Sequence, residues 1–86
     1  MFIINRCEID VSVVAVFEPN KQPIPYKVKG TIKGKPFKVD IDIIKHVDTR
    51  SPSQIVYHCM SIFDGYEEEY WLDYYIDSYS WQIIAI

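Results

Sequence analysis

The sequence predicts an all-β fold: five to six antiparallel strands joined in a meander, forming a strongly bent sheet or a small SH3-like barrel. Three observations point there. Apolar side chains recur at every second position through most of the chain, the period of a half-buried strand. Turn residues separate these runs at short intervals, and no convincing helical period extends over ten residues. The chain has 86 residues, 49% of them apolar and only three of them glycine, so it reads as one globular domain over residues 1–86. A chain of this size buries only about 60–65% of its unfolded surface and cannot divide that between two cores.

The first strand is read from Cys7, Ile9, Val11, Val13, Ala15 and Phe17, which alternate with Glu8, Asp10, Ser12 and Glu18, although Val14 and Val16 blur the polar face. Pro19 to Gln22 is turn chemistry. In the second strand Ile24, Tyr26, Val28 and Ile32 are expected inward, with Lys27 and Lys29 outward. Pro23 and Pro25 lack amide donors and place its start at a sheet edge. Lys33-Gly34 makes a tight reversal, after which Phe37, Val39, Ile41 and Ile43 face in and Lys38, Asp40 and Asp42 face out. Ile44 and Val47 break that phase and predict a bulge or bend near Ile43-Ile44.

Thr49 to Gln54 is a polar loop, IVYHCMSIF a continuous apolar strand, and Asp64-Gly65 a strong hairpin signal. Tyr66 to Ile76 fits a strand better than a helix: Tyr66, Tyr70, Leu72, Tyr74 and Ile76 share one face broken only by Glu68. A helix would scatter Trp71, Leu72, Tyr75 and Ile76 around its circumference. DSYS turns the chain into a last strand, WQIIAI, and a free edge there or at the N-terminal strand would favour homodimerisation.

PIPYKVKG, KPFKVDIDIIKHVDTRSPSQ, IVYHCMSI and YWLDYY with a closing Trp81 together resemble a family of small uncharacterised proteins common in Firmicutes. Val39-Asp40, Tyr57, Cys59 and Trp81 are the specific part of the resemblance. The chain departs from the family pattern in lacking a Gly pair before Ile55, in carrying Val56 where a basic residue is usual, and in having Lys29 where a Trp is common. The resemblance implies an all-β fold and no established activity.

The net charge of −3 argues against general nucleic-acid binding, which neutralises phosphates with Lys and Arg. The charge is segregated, however: six lysines and no acid lie from Lys21 to Lys38, whereas nine acids lie from Val39 to Ile86 against only Lys45 and Arg50. Cys7 and Cys59 fit neither a disulfide framework nor a CxxC site, so reduced buried thiols in a cytoplasmic protein are expected. Asn5, Arg6, Glu8 and Asp10 interrupt the first apolar stretch, so no signal peptide is expected, and no apolar run approaches the roughly 20 residues that span a bilayer.

The chemistry-bearing residues point away from an enzyme. Cys59 and His58 are strand neighbours on opposite faces and cannot readily form a dyad. His46 and His58 become cross-strand partners if the chain folds symmetrically about Pro52, within reach of Asp48, but zinc normally takes three or four protein ligands, and solvent-facing histidines are commoner. Glu67, Glu68, Glu69 and Asp73 read as a solvated hairpin edge. No cofactor or metal site is therefore expected.

Two candidate surfaces remain. Trp71 and Tyr75 fall on the charged side of their strand and would make a contact site, unless a curled sheet buries both faces. Lys27, Lys29 and Lys38 form a basic outer face, which is either a partner site or a device against edge-to-edge aggregation. The expectation is a non-enzymatic module that binds a protein partner or itself. The alternative is an SH3- or OB-like nucleic-acid-binding module using the Lys21 to Lys38 hairpin with stacking aromatics.

Overall fold

The computed structural model describes residues 9–85, and among them there is no helix. Seven strands follow in order: β1 (Ile9–Val16), β2 (Ile24–Ile32), β3 (Lys35–Asp40), β4 (Ile43–Asp48), β5 (Gln54–Phe63), β6 (Tyr66–Tyr75) and β7 (Ser80–Ala85). They form one antiparallel sheet in the order β3-β2-β1-β7-β6-β5-β4. The predicted all-β meander is thus observed, with one strand more than expected. Because no helix is present among the described residues, none is long and apolar enough to cross a membrane.

The extra strand comes from the bend read in the sequence. Ile41 N donates to Tyr26 O at 2.8 Å, and Asp42 N donates to Met60 O at 3.0 Å. Successive amides of an extended chain point to opposite sides, so at this dipeptide the chain exchanges β2 for β5 as its partner. The predicted bulge near Ile43-Ile44 is present as well: Ile44 pairs with Cys59 and His46 with His58, which leaves Lys45 as an extra residue, while the bend itself lies two residues before Ile43-Ile44. The bend inverts the phase, leaving Ile43 exposed, against expectation, and Ile44 against the core; the bulge at Lys45 then restores it, so Val47 also packs inward.

The two edge strands, β3 and β4, are therefore consecutive pieces of one chain, and the sheet curls into a half-barrel in which β3 comes up against β5. The free edges anticipated at the first and last strands are not there. β7 lies between β1 and β6, joined to β1 through Ile9↔Ile83 and Val11↔Trp81. Lys33-Gly34 and Asp64-Gly65 all have positive φ, from 50° to 85°, the geometry of type I′ hairpins whose twist matches the strands they join.

The concave side holds the core. Val28, Tyr57, Cys59, Tyr70, Leu72 and Ile83 are essentially fully buried. Trp81 stands between Tyr74 and Tyr57, with ring centroids at 4.5 and 5.8 Å. Tyr70, Leu72, Tyr74 and Trp81 thus occupy the core as their alternation predicts. Tyr66 and Ile76 do not: they lie at the start of β6 and just past its end, where the curl no longer covers them. Phe17 is exposed for the same reason, one residue beyond β1, although its ring still meets Tyr74 edge-on at 5.9 Å.

Buried hydroxyls find partners, as burial requires. Tyr57 donates to the Pro23 carbonyl, and the Ser61 and Tyr70 hydroxyls lie 2.6 Å apart. Burial pushes both tyrosines above their ordinary pKa. Gly30 sits between Val11 and Phe37 in the cross-strand row, where an added Cβ would lie 2.9 Å from Val11 Cγ1 and 3.1 Å from Phe37 Cε1.

Candidate interaction surface

The β1–β2 pairing contains an irregularity that shapes the outer surface. Val14 pairs with Lys27, but the next residue, Ala15, pairs with Pro25, so Tyr26 is the extra residue of a bulge. The prolines explain its position, since neither can donate to the ladder. Pro23 and Pro25 are instead buried, and the Tyr57 hydroxyl holds the Pro23 carbonyl. The bulge inverts the phase of β2, so Pro25 faces inward while Ile24 and Tyr26, both expected in the core, turn outward.

Ile24 and Tyr26 are 41% and 50% exposed, beside Val14 at 61% and Val16 at 41%. Val16 and Ile24 are direct cross-strand partners, so the four make one continuous apolar patch. Scattered surface hydrophobics are ordinary, whereas contiguous ones mark places where something binds.

Lys27, Lys29 and Lys38 lie on this same outer face and are exposed, as predicted. Lys27 reaches Asp40 at 3.6 Å, an exposed pair that contributes little. Lys29 stands directly opposite Lys38 across the ladder, an arrangement that costs stability between like charges. A shallow groove of about 710 Å³ runs over the strands here, lined by Ser12, Lys29, Thr31 and Lys38 among others.

Trp71 and Tyr75 are half-buried rather than exposed. Trp71 stacks on its cross-strand neighbour His58 at 4.6 Å, and the Tyr75 hydroxyl lies 3.5 Å from Asp73 Oδ2. Two strands, β7 and β1, separate them from β2. Three strand spacings amount to about 14 Å, so the structure does not bring Trp71 or Tyr75 to the lysines. Tyr26 is the aromatic that does lie there.

Asp73, expected among solvated acids, is 3% exposed and accepts a hydrogen bond from Gln54 Nε2 at 2.8 Å. The glutamates differ from it, since Glu67 and Glu69 are exposed and Glu68 is half-buried. Lys45 donates to Glu69 Oε1 at 2.8 Å and holds that carboxyl below its usual range.

His46 and His58 are cross-strand partners, the register that symmetry about Pro52 implied. His58 Nε2 lies 3.0 Å from Glu69 Oε1, an ion pair only when the imidazole is protonated. Asp48 is engaged elsewhere: Arg50 binds it through its backbone amide and its guanidinium, Nη2 to Oδ2 at 2.7 Å, and holds its carboxyl down at about 2. Among the described residues no three His, Cys, Asp or Glu side chains converge as metal ligands.

Cys59 is fully buried, and burial pushes its thiol up to about 12, so at neutral pH it is a protonated core group facing away from His58. Cys7 lies outside the described residues.

The chain matches no family model, and no curated protein or solved structure shows significant similarity to it. Sequence reasoning missed Ile24 and Tyr26 because it carried one alternation through a bulge. The signals that could have found them were the paired prolines and the apolar Val14 and Val16 on a face that should have been polar.

Proposed function

We propose that this chain is a cytoplasmic, non-enzymatic protein-interaction module whose working surface is the outer face of β1, β2 and β3. The contiguous patch of Val14, Val16, Ile24 and Tyr26 carries the proposal. Such a patch bordered by Lys27, Lys29 and Lys38 suits a partner with an apolar centre and an acidic rim. Keeping Lys29 opposite Lys38 despite their repulsion favours the same reading, because a docked carboxylate would relieve it.

Capture from a lysate of the native host tests this, comparing the wild-type chain with Val14→Lys/Tyr26→Ser at equal folded concentration. Both positions are exposed, so each substitution should change stability by no more than about 0.5 kcal/mol. The module reading expects a captured protein that the variant loses. Equal capture by both chains contradicts it.

The lysine row also supports a second reading, a single-stranded nucleic-acid surface with Tyr26 as its stacking residue. Fluorescence anisotropy with labelled oligonucleotides distinguishes the two. A nucleic-acid site weakens steeply with salt and loses affinity in Lys29→Gln/Lys38→Gln, whereas the protein-binding reading expects no measurable oligonucleotide affinity at physiological salt.

A further inference from the structure

At one end of the curled sheet the β2–β3 and β5–β6 turns stand side by side, and β3 and β5 part there without hydrogen bonding to each other. The cleft between them has a volume of about 560 Å³. Ile32, Phe37 and Phe63 line its floor, with the two phenylalanine rings 5.7 Å apart. Its rim has two signs: Lys33, Lys35 and Lys38 belong to the β2–β3 hairpin, and Asp64 to the β5–β6 turn. Ile62 and Tyr66, beside the acidic turn, are 51% and 61% exposed, and Glu67 lies opposite Ile62. Among the described residues no ion pair involves Lys33, Lys35, Asp64 or Glu67.

We propose that this end is a self-complementary interface where two copies of the chain meet about a two-fold axis, each placing its lysine turn against the other's acidic turn. A two-fold contact uses the same patch on both copies, so it is favourable when one half of the patch complements the other half. The charges here are divided in that way, with exposed Tyr66, on the same face as Phe63, available for the dry centre. A partner of a single sign would attract one half and repel the other, which is why charge complementarity selects a second copy. The cleft shares Lys38 with the border of the outer face of β1, β2 and β3 but none of the apolar patch of Val14, Val16, Ile24 and Tyr26, so the inference does not depend on the function proposed for that patch.

Size sets the strength. An interface confined to two turns and the cleft between them falls well short of the about 800 Å² that a stable complex buries per partner. The dimer should be weak, concentration-dependent and sensitive to salt.

Sedimentation velocity at concentrations from roughly 10 μM to 1 mM, read against the 10.2 kDa monomer mass, tests this with two charge variants. Lys33→Glu/Lys35→Glu makes both turns acidic, and Asp64→Lys/Glu67→Lys makes both basic. Lys33 already holds a positive φ in the equivalent hairpin, so lysine at position 64 is compatible with the turn. The wild type should dimerise at the upper concentrations and lose that dimer in high salt. Each variant alone should dimerise at least about tenfold more weakly, and an equimolar mixture of the two should restore a species of twice the monomer mass. Restoration by mixing cannot come from misfolded chains. The inference is overturned by a wild type monomeric at the highest concentration. It is equally overturned by variants that dimerise unaided, or by folded variants whose mixture stays monomeric.

Discussion

The hydroxyl pair of Ser61 and Tyr70 gives a quantitative test of the core. Both residues are essentially inaccessible and their oxygens are 2.6 Å apart, so each supplies the partner that the other's burial demands. Tyr70→Phe strands the serine hydroxyl, and Ser61→Ala strands the phenol. Either substitution should cost about 1–3 kcal/mol, the usual penalty for a buried polar group left alone. The double variant removes both groups together and should cost little more than one single variant, leaving a coupling energy of at least about 1 kcal/mol.

Urea unfolding followed by the fluorescence of Trp71 and Trp81 measures each free energy, and an unchanged dependence on urea would show that only stability has moved. In a thermal melt each kcal/mol should lower the midpoint by about 4–8 °C for a domain of this length. Strict additivity of the two singles would refute the reasoning, since it would mean that the hydroxyls do not satisfy each other.

The remaining predictions concern packing and ionisation. Gly30→Ala places a methyl against Val11 and Phe37 and should destabilise by about 1–3 kcal/mol, with Val11→Ala recovering part of the loss in the same background. A loss below 0.5 kcal/mol in the melt would contradict that packing. Stability should fall at alkaline pH. Burial raises the folded-state pKa of Cys59 above 9.0 and those of Tyr57 and Tyr70 above 10.0, so the unfolded chain ionises first. The Cys59 contribution is present below pH 9.0 and drains away as pH climbs toward about 12, and the contributions of Tyr57 and Tyr70 begin to drain above pH 10.0. Urea midpoints recorded across that range should decline, and a flat profile would contradict the burial. With Cys7 replaced by serine, Cys59 should react with a thiol reagent only on unfolding; rapid reaction of the native chain would place it outside the core.

Much of this architecture was legible because alternation reports which side of a sheet a residue occupies. Tyr70, Leu72 and Tyr74 are core in both readings, and Lys27, Lys29 and Lys38 are outside in both. The cross-strand pairing of His46 with His58 was legible too, because a hairpin's register follows from its loop. Alternation fails wherever a strand gains a residue. The bulge at Tyr26 inverted Ile24 and Tyr26, and the bend at Ile41-Asp42 inverted Ile43; in both cases local spacing was read without the ladder that resets it.

Curvature misled in a different way. Tyr66 and Ile76 keep the inward phase but lie where the curled wall no longer covers them, whereas Asp73 points outward and is nonetheless covered by its neighbours. The pairing of first strand to last depends on global closure, which no local period contains.

The proposed function rests on the outward turn of the β1–β2 face. Hydroxyl-radical footprinting of the dilute native chain, read by mass spectrometry residue by residue, measures that face directly. Tyr26 and Phe17 should be modified rapidly, while Tyr57 and Tyr70, chemically comparable but buried, should be protected until the chain unfolds. Protection of Tyr26 to the level of Tyr57 would contradict the account, because the apolar patch would then be interior and the proposed surface would not exist.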